Sequence, residues 1–324
     1  MSERPTIAVV VAVHQGAGTI AEALDSALSQ DPPPDETIVA DDGSTDRLEQ
    51  ALEPYLDRVD VLRLPHAGVA ATRNAACRHA SSEFVLFLDA DDLLLPGKLA
   101  ALGRLAGAEP APDVLGTDLW FERDGRRVGR FTDANPFPAI ERQRRTILER
   151  CFVAQATVRR SRLLALGGFD ESLRSGSDWD GVLRLILSGS RAGFDDAPLA
   201  IYKIRGDSLT SSRTDTFRDR ARILEKALAN PDLGPGERPT AERMLAAQQA
   251  RIVLADAQAA VAESRPDVRR RCWELARTSG CAPRDRVWAL AVLASPRALR
   301  PLLGRGVDAT SQLSRRLPGA SSKR

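Results

Sequence analysis

TIAVVVAV, Thr6 to Val13, is the stretch that most limits what this chain can become. Its continuous apolar, β-branched run suits a strand inside a sheet. AGTIAEALDSALSQ follows at once and puts Ile20, Ala23, Leu24, Ala27 and Leu28 on one helical face. The tract Pro32 to Pro34 ends that helix, and the next strand follows in ETIVADD. A helix from about 46 to 56, a strand VDVLRL, a helix from about 69 to 79 and a strand EFVLFLDADD complete the alternation. Strand and helix in turn call for an α/β fold, Rossmann-like, with a mostly parallel sheet and helices on both faces.

In such sheets ligands bind beyond the carboxyl ends of the strands, where the strand order reverses. The polar residues fall there: VHQ ends the first strand, DDGSTD (Asp41 to Asp46) the second, and DADD (Asp89 to Asp92) the strand after EFVLFL. One acidic strand end is an ordinary helix cap. Two sets of paired acids ask for more, because like charges gathered at the edge of a core are costly unless they meet water or a cation. Asp89 and Asp91, one residue apart on an extended segment, point to the same side. Two such carboxylates suit a hard divalent cation, Mg²⁺ or Mn²⁺, completed by phosphate oxygens and water. HQGAGTI lacks both the Lys of a phosphate-binding loop and the third glycine of a dinucleotide fingerprint. Phosphate must then be held another way.

Bulk properties exclude several classes. A formal net charge of +2 over 324 residues does not suggest a nucleic-acid binder, and 43% hydrophobic content fills a sizeable core. The four cysteines, Cys77, Cys151, Cys272 and Cys281, are widely spaced, with only His14, His66 and His79 as further soft ligands. They read as reduced thiols, which makes the cytoplasm the expected location. The N-terminus has no cleavage-like segment, and no later apolar run approaches spanning length.

Four blocks, AVHQGAGTIAEALDSALSQ, IVADDGSTD, GVAATRNAACRHASSEFVLFLDADD and GGFDESLRSGSDWDGVLRL, resemble in order and spacing the family 2 glycosyltransferases of GT-A fold, over roughly residues 5 to 213. The resemblance implies transfer of a sugar from a nucleotide-diphosphate donor, a UDP-sugar favoured, to a hydroxyl of a glycan or glycolipid acceptor, with inversion at the anomeric carbon. It places Asp41 at the nucleotide base and Asp42 near the ribose, with Ala12, Val13 and His14 bordering the same pocket. It places Asp89 near the ribose and metal, Asp91 as the direct ligand of Mg²⁺ or Mn²⁺, and Arg73 near the diphosphate. Asp178, in SDWD, stands where the family carries the acid that activates the acceptor hydroxyl. Three positions depart from the common pattern: AVHQ replaces P-V-Y-N, Ser177 replaces a Glu before the base, and Arg205 replaces a His near the diphosphate. Arg cannot ligate a metal, but it can pair with phosphate.

A rival reading in another class is a catalytically silent nucleotide-binding scaffold on the same fold. A sugar nucleotidyltransferase is disfavoured, because its glycine- and Arg-rich opening loop is missing. The expected organisation is a catalytic domain over 1–213, with a nucleotide-sugar half to about 112 and an acceptor half beyond. A helical C-terminal region over 214–318 and a disordered tail over 319–324 follow. DVLGTDLWFERDGRRVGRF reads as two strands around the turn RDGR, followed by a charged helix from about 139 to 150. From Arg284 to Arg324 nine basic residues stand against two acidic ones, around VWALAVLA. An interfacial contact with anionic lipid is one reading of that tail. Packing of Trp288, Leu290 and Leu293 against the catalytic domain is the other.

Overall fold

The computed structural model of the chain describes residues 4–204 and 213–294. Its strands are β1 (Ile7–Val13), β2 (Glu36–Asp42), β3 (Asp60–Leu64), β4 (Phe84–Asp89), β5 (Leu93–Leu94), β6 (Val114–Arg123), β7 (Arg126–Arg130), β8 (Thr157–Arg159) and β9 (Ala192–Lys203). All join one sheet in the order β3-β2-β1-β4-β8-β6-β9-β5, with β7 paired to β6. The helices beside them are α1 (Ile20–Leu28), α2 (Leu48–Leu52), α3 (Val69–His79), α4 (Lys98–Ala106), α5 (Phe131–Ala134), α6 (Gln143–Glu149), α7 (Arg160–Ala165) and α8 (Ser177–Leu187).

The apolar run of β1 is continuous because both of its faces are covered. Ile7, Val9, Val11 and Val13 enter one core with Ile20, Leu24 and Ala27 of α1, Leu48 and Leu52 of α2, and Leu99 and Leu102 of α4. Ala8 and Val10, pointing the other way, are equally buried, and α3 packs over β1 and β2. The pairings β1 with β2, β1 with β4, and β2 with β3 are parallel, as the alternation of strand and helix demands. Beyond β4 the sheet turns mixed. β8 runs antiparallel to both β4 and β6, and β9 is parallel to β6 but antiparallel to β5. The turn at RDGR closes the hairpin of β6 and β7, the two strands expected there, and both belong to the same sheet.

From β1 the chain moves to β2 and β3 on one side and returns to β4 on the other, so the strand order reverses between β1 and β4. Register then aligns the polar ends. Val13 lies opposite Asp41, and Ala12 lies opposite both Ala40 and Asp89.

The chain divides into two units: Met1–Leu173 with Ser177–Gly206, and Arg174–Gly176 with Asp207–Arg324. The second unit holds α9 (Arg213–Ala229), α10 (Arg238–Ala262), α11 (Val268–Arg277) and α12 (Pro283–Ala294). Its own core joins Ala257, Val261, Cys272, Leu275, Ala289 and Val292, with Trp288 and Leu293 packed against them. Trp288 and Leu293 are therefore part of the helical unit's core, whereas Leu290 is half exposed at 50%. No helix among the described residues is long and apolar enough to cross a membrane. Arg205, the residues 295–324 and most of the basic tail with them lie outside the described residues. All four cysteines are free thiols.

Candidate functional site

The carboxyl edge of β4 carries the acidic cluster. Asp89 ends the strand with its side chain 43% exposed, and Arg73, one turn into α3, donates from Nη2 to its Oδ1 at 2.5 Å. The Arg73 side chain is only 12% exposed and stacks over the Phe87 ring at 5.9 Å. Burial by itself would lower the affinity of this guanidinium for its proton, yet the charges of Asp89, Asp178 and Asp92 outweigh it and hold the group above its ordinary value. Asp178, at the start of α8, therefore lies within electrostatic reach of the cation that Asp89 binds. The Arg73 Nε is buried and has no hydrogen-bond partner among the described residues. A buried guanidinium N–H without an acceptor, next to the edge where ligands bind, is a donor ready for an anion.

Asp92 is a different kind of carboxylate from its neighbours. It is 1% exposed, accepting the backbone N–H of Lys203 at 3.0 Å and the Gln155 side-chain amide at 3.0 Å. Burial pushes its carboxyl up to about 8, and the charges of Asp89 and Asp91 add to that against the two hydrogen bonds. Asp92 thus ties β9 and the segment before β8 to the cluster, while Asp89 and Asp91 remain as oxygen donors at its rim.

The placement of Asp178 depends on Asn74, which follows Arg73 directly. Asn74 donates to the Phe169 carbonyl at 2.9 Å and accepts the Phe169 N–H at 2.7 Å, a reciprocal pair that locks α3 to the loop leading into α8. Its amide also donates to Glu171 at 2.8 Å. Gly168 is required here: its φ is +78°, and a Cβ would lie 2.5 Å from the Asn74 Oδ1. Asp178 itself is exposed and accepts the N–H of Trp179 at 2.8 Å. Trp179 is buried, its indole donating to the Ile147 carbonyl at 2.7 Å. That makes it a core residue that anchors α8.

The second strand end splits into two roles. Asp41 is half buried and accepts the Ser44 N–H at 2.8 Å. Asp42 is 4% exposed and spends its carboxylate inside the protein, on the N–H groups of Ala67 at 2.8 Å and Gly68 at 3.0 Å. Gln15 fastens the loops together, accepting from the N–H groups of Thr45 and Asp46 and donating to the Thr45 hydroxyl. Gly43, at φ +68°, leaves room for the His66 backbone, 2.8 Å from where a Cβ would stand. Val13 is buried beneath this edge and His14 is exposed above it.

Of the residues singled out from sequence, Arg73, Asp89, Asp91 and Asp178 gather around β4, and Val13, His14, Asp41 and Asp42 lie at the neighbouring strand ends. Asn74, Gln155 and Lys203 were not foreseen, and His66 was noted only as an available soft ligand. Only Asn74 left a trace, as the polar residue of ATRNAA on an otherwise alanine-rich helix. The partners of the others are distant in sequence.

Residues 8–165 match the family model described as glycosyl transferase family 2. The succinoglycan biosynthesis protein ExoU of Rhizobium meliloti is 26% identical over 255 residues, covering 68% of this chain and 69% of that protein. Residues 1–349 of S. aureus TarS, solved in complex with UDP-GlcNAc, superpose with a TM-score of 0.64 at 23% identity, over 96% of this chain and 89% of that one. The mannosyltransferase PcManGT of Pyrobaculum calidifontis, in complex with GDP-Man and Mn²⁺, superposes with a TM-score of 0.59 at 20% identity, over 94% and 85%. At such identities the two structures establish the shared fold, and the sequence match carries the kinship. Residues 8–165 match glycosyl transferase family 2, and with its glycosyltransferase relatives and its GT-A fold the chain is a glycosyltransferase.

Proposed function

We propose that the chain is an inverting, metal-assisted glycosyltransferase that moves a sugar from a nucleoside diphosphate to a hydroxyl of a glycan or glycolipid. The observation that carries this reading is the link through Arg73, whose guanidinium binds Asp89 at 2.5 Å and is held charged by Asp178 as well. One cation thus connects the acids suited to a donor diphosphate with the acid suited to an acceptor.

The residues fit a divalent ion. Asp89 and Asp91 are the oxygen donors that would hold Mg²⁺ or Mn²⁺. When bound, that ion supplies positive charge for the departing diphosphate. The buried Arg73 Nε faces the same need and is free to donate to a phosphate oxygen. Asp41 is positioned for the nucleotide base, with Val13 and His14 at its border and Asp42 shaping the loop below. Asp178 takes the proton of the acceptor hydroxyl as that oxygen forms its bond to the anomeric carbon, and the bond to the diphosphate oxygen breaks on the opposite face. A single displacement of this kind inverts configuration. We place the acceptor at a membrane surface reached through the helical unit, because Val287 and Leu290 of α12 are exposed at 66% and 50% beside exposed Arg284 and Arg286. Arg205 is assigned to the diphosphate on the sequence pattern.

The donor class is supported by the relatives, whose solved complexes contain UDP-GlcNAc in one case and GDP-Man with Mn²⁺ in the other. The test is a panel of UDP- and GDP-sugars with Mg²⁺, Mn²⁺ or chelator, read as release of nucleoside diphosphate and as nucleotide affinity by calorimetry. Metal-dependent release from one donor is expected. Nucleotide binding without release from any donor, under every metal condition, would leave a silent scaffold.

A further inference from the structure

Three adjacent strand ends bring together two histidines and an aspartate that the transfer reaction does not need in combination. His14 follows β1, Asp42 ends β2, and His66 lies in the turn after β3. The two imidazoles are stacked, with centroids 4.3 Å apart and planes 25° from parallel. Both turn Nδ1 to one atom, the Asp42 carbonyl oxygen, at 2.8 Å for His14 and 3.1 Å for His66. The His66 Nδ1 is also 3.0 Å from the Asp42 Oδ2. A carbonyl oxygen only accepts, so each Nδ1 carries its proton when no metal is bound.

The geometry points to a transition-metal site formed by His14, His66 and Asp42, separate from the oxygen-only pair Asp89 and Asp91. Two ligands at right angles, each ~2.1 Å from one ion, are about 3 Å apart. The His66 Nδ1 and the Asp42 Oδ2, 3.0 Å apart, match that edge, and the His14 Nδ1 sits 2.8 Å from the main-chain carbonyl of the same Asp42. One atom from each of the three side chains lies within 4.8 Å of the others. The carboxylate is fixed in advance by the Ala67 and Gly68 N–H groups, the arrangement in which outer hydrogen bonds orient a metal-binding ligand. The two rings are exposed, so each can turn its Nδ1 lone pair off the carbonyl line and onto the ion while Asp42 stays in place. Ligation through Nδ1 moves each neutral ring's proton to Nε2, with no net proton lost, and a proton on either Nδ1 competes with the ion for the same lone pair. Two imidazole nitrogens with one carboxylate select Co²⁺, Ni²⁺, Cu²⁺ or Zn²⁺ over Mg²⁺.

This site goes beyond the proposed transfer reaction, and its test contains no nucleotide, so the two stand or fall separately. The full chain is titrated with Co²⁺ in excess Mg²⁺ and followed by visible absorption and by the imidazole proton signals. The chain has three histidines, so the assignment needs only a H79Q control. The expected result is one Co²⁺ per chain with broadening of two imidazole signals, His79 staying sharp. The cobalt absorption is lost in H14Q and in H66N and kept in D91N. Absence of a cobalt spectrum, equal broadening of all three histidines, or loss of the spectrum in D91N with retention in H66N would each overturn the assignment.

Discussion

Asp178 and Asn74 are opposite in kind. Asp178 is exposed and acts on the acceptor in the proposed reaction, so Asp178→Asn is expected to lower transfer about 10²–10⁴-fold, the range of a lost general base. Nucleotide affinity, measured by calorimetry on the same preparation, is expected to stay near that of the parent. Near-parental transfer by this variant would remove Asp178 from the mechanism. Asn74 is buried and reaches no substrate, but its two hydrogen bonds satisfy both main-chain groups of Phe169. Asn74→Leu keeps volume and leaves a buried N–H and C=O without partners, expected to cost about 2–4 kcal/mol in urea unfolding. Asp178 was legible because SDWD follows GGFDES at a familiar spacing. Asn74 was not, because its partner is 95 residues away and nothing local marks the pair.

At the scale of elements, α4 and β6 share a buried charge. Lys98 is fully buried and donates to the Thr117 hydroxyl at 2.8 Å, while the buried Asp118 next to it binds Arg130 at 2.5 Å and the Thr132 hydroxyl at 2.6 Å. Burial lowers the Lys98 ammonium from its ordinary 10.5 to about 7, with Asp118 acting in the other direction. Between these two pH values the unfolded chain holds a proton that the folded protein has lost, so this group makes stability rise with pH. Its full cost applies below about 7 and disappears as pH approaches 10.5. Lys98→Met is expected to melt above the parent at pH 6, with the gap narrowing steadily toward pH 10. A gap that does not change with pH would mean that the folded and unfolded chains bind this proton alike and that burial does not shift Lys98. A lysine in KLAALGRLA looks like the exposed residue of an amphipathic helix, and only the packing of α4 under β6 reveals otherwise.

For the whole molecule, the helical unit poses the remaining question. Val287 and Leu290 face outward on α12 while Ala289 and Val292 fill the unit's own core. Nine basic residues against two acidic ones from Arg284 onward add attraction to anionic lipid, about 1 kcal/mol for each basic group near the surface. The full chain is expected to sediment with anionic vesicles and not with neutral ones, and to be released by high salt. Val287→Asp with Leu290→Asp is expected to abolish sedimentation without unfolding, since both side chains are exposed. Equal recovery of parent and variant in the pellet would show that these two side chains do not make the contact.

The sequence alone determined the class of fold and the strand ends that matter, because both follow from local patterns. A continuous β-branched run needs cover on both faces, an amphipathic helix supplies it, and carboxylates at the end of such a strand stand where the backbone leaves the core. The same logic exposed Asp41, Asp89 and Asp91 as candidates, and the resemblance to family 2 glycosyltransferases added Asp178. Tertiary structure decided what depends on long-range register. It made the second half of the sheet mixed and set β9 beside β6. It turned Asp42 inward as a loop anchor and Asp92 into a buried carboxyl held by Lys203 and Gln155. It also stacked His14 on His66 across 52 positions of sequence. None of these is encoded in a window of neighbouring residues, because each pairs groups whose meeting is fixed only when the strands are ordered side by side.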